Sequence, residues 1–136
     1  MSIRNIINVV KEIEEIENRK QASTNLVDTE ICEMELHILK ETLLGKINEY
    51  IKTGDFNKND RYRIQLEKEN ISRVEPNTFD ILFAFEEFLK RKEEYQKERE
   101  YLSRDLSKRL LEALQRAKEN LIITISAFLG GRGFTF

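Results

Sequence analysis

Tryptophan is absent from the 136-residue chain, and cysteine, proline and histidine occur once each. A lone Cys32 excludes an intrachain disulfide, which fits a reducing compartment. One proline, Pro76, and five glycines leave few places for the chain to turn. Few turn formers beside many Glu, Lys, Leu and Ile residues favour long helices. No window approaches the ~18 apolar residues of a membrane span. The N-terminal stretch MSIRNIINVVKEIEEIENRK runs from a short apolar patch into glutamates, unlike a signal peptide. A cytoplasmic location and no membrane contact are the expectations.

Chemistry-bearing motifs are equally scarce. No glycine-rich loop joins a strand to a helix, so there is no nucleotide-binding fingerprint. His37 has Glu33 and Glu41 one helical turn away on either side. A metal site would need further ligands from elsewhere, and the paired Glu-x-x-His spacing of di-iron bundles is missing. His37 therefore reads as an ordinary residue on an acidic helix face. Cys32 and His37 lie about 140° apart around a helix, so they do not form a nucleophile and base pair. No catalytic residue, metal site or cofactor is expected.

Charge is what the chain has in excess. Charged residues make up 35% of it, against roughly 25% in average soluble proteins. Most of this reads as solvated helix surface. The net charge of -2 and pI of about 5.6 do not give the basic footprint of a nucleic-acid-binding domain. The charges are uneven, however. Asp28 to Glu49 carries six acids against two lysines, whereas Lys90 to Glu119 carries ten cations against seven acids. The least compensated basic piece is Arg104 to Lys118. Arg104, Lys108, Arg109, Arg116 and Lys118 are the residues that would bind nucleic acid, as the alternative function.

Periodicity places the helices. Ile3, Ile6, Ile7, Val10, Ile13 and Ile16 form one stripe, predicting a helix over about 2–19 with Ser2 as its cap. Cys32, Leu36, Leu39, Leu43, Ile47 and Tyr50 form another, widened by Ile31, Met34 and Ile38. It predicts a helix over about 28–53, capped by Asp28 or Thr29 and stopped by Gly54. In 55–75, the alternation of Tyr62, Ile64 and Leu66 suggests a short β-hairpin at 61–74, with a short helix as the other reading. Asn77, with Asp80 three residues on, caps a further helix.

No glycine or proline interrupts 78–128, so one long C-terminal helix is expected there, with a helical hairpin folding at Lys90 to Glu100 as the alternative. A continuous helix would span roughly 75 Å. Its two ends, FDILFAFEEFL and LIITISAFL, are apolar around most of the circumference and would need cover. The expected architecture is a single mainly α domain, 1–136, forming a small helical bundle.

The chain ends in FLGGRGFTF. Its glycines allow a tight reversal, and its phenylalanines resist free solvation. Three readings stay open: a disordered tail, a hairpin in which ITISAF pairs with FTF, and a strand docked on a partner. The expected function is a non-catalytic protein-interaction module: a small subunit, adaptor or inhibitor that self-associates or binds a foreign protein. The candidate partner-binding residues are Phe128, Arg132, Phe134, Phe136, Ile3, Ile7 and Val10.

Overall fold

The computed structural model describes residues 3–70, 76–98 and 104–130, and helix accounts for 92% of them. In chain order they form α1 (Ile3–Ala22), α2 (Leu26–Thr53), α3 (Lys58–Asn70), α4 (Thr78–Glu98) and α5 (Arg104–Gly130). No strand occurs among the described residues. The fold is mainly α, as the scarcity of turn formers dictates. It divides into two compact units that part between Arg61 and Tyr62.

In the first unit α1 folds back on α2. Ile3, Ile6, Ile7, Val10 and Ile13 are buried, and Val9 joins them. Cys32, Leu36, Leu43, Leu44, Ile47, Tyr50 and Ile51 supply the facing side of the core. Ion pairs from Arg19 to Glu35 (3.1 Å) and from Lys20 to Glu33 (3.2 Å) flank the connector. They are solvent-facing, so water and salt screen them and they add little to stability. Arg19 Nε also donates to the buried Cys32 sulfur at 3.3 Å. That bond, followed by the one to Glu35, raises the guanidinium further above its already high ordinary pKa.

The cap of α2 is Asn25, earlier than Asp28 or Thr29. Asn25 is extended (φ -110°, ψ 127°), and its Oδ1 accepts the Val27 N–H at 2.8 Å. Thr29 lies inside the first turn and returns its hydroxyl to the Asn25 carbonyl at 3.0 Å. A side-chain amide directly before an apolar residue supplies the acceptor that the first free N–H groups need.

Gly54 ends α2, but not through a left-handed backbone. Its φ is -92°, and its N–H donates to the Tyr50 carbonyl at 2.7 Å. Glycine is required because the Tyr50 ring lies over it. A Cβ there would collide with that ring and sit 2.6 Å from the Tyr50 carbonyl oxygen. The ring is held from other sides too. It meets Phe56 edge-on at 5.3 Å, and its hydroxyl donates to Asp55 Oδ2 at 2.8 Å.

Burial, and then the hydrogen bond to Asp55, hold the Tyr50 phenol far above its ordinary pKa. The folded chain keeps a proton that the unfolded chain releases above pH ~10. Stability from this group is therefore complete below pH ~10 and falls as pH rises beyond it, by at most about 1.4 kcal/mol per pH unit. Tyr50→Phe is expected to cost about 1 kcal/mol at neutral pH and to flatten the alkaline limb. Urea midpoints measured from pH 8 to 11.5 check both; an unchanged limb in the variant refutes the assignment.

Residues 58–70 are helical, so the expected hairpin is not formed across 61–70; 71–75 lie outside the described residues. The deciding feature is a reciprocal cap. Asn57 Oδ1 accepts the Asp60 N–H at 2.8 Å, and Asp60 Oδ2 accepts the Asn57 N–H at 3.1 Å. Two free donors satisfied at once start a helix that alternation alone reads as a strand. Ile64 is its buried residue; Tyr62 and Leu66 are exposed.

In the second unit, 78–128 does not run as one helix. Helices α4 and α5 pack extensively on one another, so a helical hairpin forms, but α4 continues through Glu98 and the chain does not fold back within Lys90 to Glu98. Asn77 caps α4 as expected, its Oδ1 accepting the Asp80 N–H at 2.8 Å. Folding back lets one face of each apolar end be covered within the chain. Ile81, Ala84, Phe85 and Phe88 are buried, as are Leu121, Ile122, Ile125, Phe128 and Leu129. Local charge pairing within α4 survives, with Arg91 bridging Glu87 (2.9 Å) and Glu94 (3.3 Å). Helix α3 is tied to α5 by a bidentate pair from Arg63 to Glu119, one arm at 2.7 Å, with Glu67 as a further acceptor. Glu119 first, and then Glu67, raise the Arg63 pKa further.

The β-branched run before Leu129 does not leave the helix, which continues to Gly130. Burial outweighs strand propensity here, and the Thr124 and Ser126 hydroxyls return to carbonyls four residues back. The hairpin reading of the tail loses its first strand, because ITISAF is helical.

Candidate functional site

The residues singled out in the sequence fall in three places. Ile3, Ile7, Val10 and Phe128 are buried. Arg132, Phe134 and Phe136 lie outside the described residues. Arg104, Lys108, Arg109 and Arg116 are exposed on α5, and Lys118 is half-buried. At 100° per residue, Asp105, Glu112 and Glu119 form a row between Arg104 and Lys108 on one side and Arg109 and Arg116 on the other. Carboxylates in the middle of the cationic arc oppose phosphate tracking.

His37 is exposed, Cys32 is buried, and among the described residues no cluster of His, Cys, Asp or Glu is arranged to hold a metal ion. No helix among them is long and apolar enough to cross a membrane.

The surface that stands out is on α2, where Ile31, Met34 and Ile38 do not widen the core stripe but join Val27 on the opposite side. Val27, Ile31, Met34 and Ile38 are 63%, 46%, 67% and 60% exposed. Their 4-3-4 spacing holds them within a narrow stripe, roughly half a turn from the face formed by Cys32, Leu36, Leu43 and Ile47. Helix α2 is thus apolar on two opposite faces. One packs on α1; the other is uncovered. The stripe runs roughly 16 Å along the axis and gives out at Glu41 and the exposed Gly45.

Beside it lies an open groove of about 310 Å³ between α1 and α2, floored by Ile16, Ile38 and Leu39 and rimmed by Glu12, Glu15 and Glu35. Scattered exposed apolar residues are ordinary on protein surfaces, but a contiguous row with an adjoining groove is the usual mark of a docking site. The signal was present in the sequence. At 100° per residue Ile31, Met34 and Ile38 lie roughly half a turn from Leu36 and Leu43.

Helix α4 shows a smaller version. Phe79 and Phe83 are 67% and 52% exposed and stack on each other with centroids 6.3 Å apart. With Leu82, Glu86, Glu87 and Lys90 they line an open groove of about 320 Å³. This pair covers one turn, and its charged neighbours are of both signs, so it gives less area and less charge bias than the α2 stripe. No known family, curated protein or solved structure matches this chain.

Proposed function

We propose that the protein is a non-catalytic interaction module, a small subunit, adaptor or inhibitor, whose docking surface is the outer face of α2. The observation that carries this reading is the uncovered row Val27, Ile31, Met34 and Ile38 opposite a complete core face. Each such side chain gains about 1.5–3 kcal/mol when fully taken out of water, so covering the row offers several kcal/mol toward binding. Arg104 to Lys118 supports nucleic-acid binding less well, because acids interrupt its cations.

Site-directed photo-crosslinking in the cells that make the protein tests the reading. A photoreactive residue replaces Met34 on the outer face, or the exposed Asn59 of α3 as control. The expected result is a discrete protein adduct from position 34 that is absent from position 59. It is also expected to disappear when Ile31 and Ile38 are both changed to glutamine. No adduct from position 34, or the same diffuse labelling from both positions, overturns the proposal.

A further inference from the structure

We propose that the occupant of the α2 face is a basic amphipathic helix of about three turns, supplied by another protein. This rests on the docking reading above and adds the chemistry of the partner. The 4-3-4 spacing of Val27, Ile31, Met34 and Ile38 is that of a heptad seam, which a second helix covers by inserting its own apolar knobs. The row is helical and about three turns long, so a helix of similar length matches it.

The flanks decide the charge of that helix. The positions beside the seam are Asp28 and Glu35 on one side and Glu30 and His37 on the other. Glu41 follows at the end of the row, and Glu12 and Glu15 of α1 extend the acidic side along the groove. No lysine or arginine belongs to these flanking positions. Glu35 already holds Arg19, while no ion pair links Glu12, Glu15, Glu30 or Glu41 to a described residue. Lysine or arginine on both edges of the incoming helix would meet carboxylates at the positions that set partner choice in paired helices.

The same charges disfavour the other occupants. A second copy laid seam to seam would set Asp28, Glu30 and Glu35 against their own equivalents, and like-charge juxtaposition is costly. Helix α5 of a second copy is cationic, but its exposed Leu106, Leu111 and Ile123 lie roughly 100° or more apart around the helix and form no seam. An anionic lipid surface would be repelled.

The test is a selection from helical fourteen-residue peptides. Their seam positions are fixed as leucine, and each flanking position is randomised among lysine, glutamate and glutamine. The target is the full chain, with the Ile31→Gln/Ile38→Gln variant as counter-selection. The expected result is enrichment of lysine over glutamate at the flanks by at least about tenfold, with binding weakened about fivefold or more between 0.05 and 0.5 M salt, as screening requires.

Unbiased or glutamate-rich flanks overturn the proposal, as does enrichment that the variant retains. A dimer in light scattering that the variant dissolves assigns the face to a second copy and overturns it too. The crosslinking result separates the two levels. A position-34 adduct displaced by glutamate-flanked peptides leaves the docking surface standing and removes only the basic helix. No adduct and no enrichment remove both.

Discussion

Phe85→Ala is expected to lower the stability of the second unit by about 3–5 kcal/mol, while Phe83→Ala, two residues away, changes it by at most about 1 kcal/mol. Phe85 is fully buried, so truncation removes its transfer energy and leaves a cavity. Phe83 is half-exposed and touches Phe79, so truncation forfeits part of one stacked contact. Urea unfolding followed by hydrogen exchange on α4 and α5 separates the two. Equal losses would mean that both rings lie in the core and that the outer face of α4 is covered. The pair also tests the helical hairpin, since a straight 78–128 helix would leave Phe85 without α5 to pack on.

These phenylalanines show how far the sequence could be read and where it stopped. FDILFAFEEFL reads as apolar all round, and a helix of that kind is expected to be buried entirely. In the structure Phe85 and Phe88 are buried and Phe79 and Phe83 are not. Composition says how many apolar groups need cover; only the packing partner says which of them get it.

The same limit applies to the break between α4 and α5. Strong helix formers and pairs of opposite charge favour a continuous helix locally, and both are still in use in α4, where Arg91 holds Glu87 and Glu94. The long-range burial of both apolar ends outweighs them, and no local signal carries that term. The reverse holds for α3. Its deciding interaction is local, the reciprocal Asn57 and Asp60 cap, and it was legible in the letters NKND. Alternating Tyr62, Ile64 and Leu66 obscured it, because a three-residue pattern of period two also fits a helix that buries Ile64 and exposes Tyr62 and Leu66.

Leu36→Gln and Ile38→Gln make the same chemical change two residues apart on α2, and their consequences should be opposite in kind. Leu36 is buried against α1. Glutamine there loses about 2–3 kcal/mol of burial and buries an amide without a partner, a further 1–3 kcal/mol or so. The first unit is expected to lose about 3–6 kcal/mol in all. Its α1 and α2 amides should exchange far faster as a result. Ile38 is turned to water, and glutamine is as good a helix former as isoleucine or better. Its substitution should leave unfolding within about 0.5 kcal/mol of the parent while removing the position-34 adduct. If Ile38→Gln instead destabilises the unit as Leu36→Gln does, the row is structural, something within the chain covers it, and the outer face of α2 is no docking surface. If it leaves stability untouched and abolishes the adduct, α2 divides its labour by face. One side then holds the hairpin together, and the other, which folding does not require, is kept apolar for a partner.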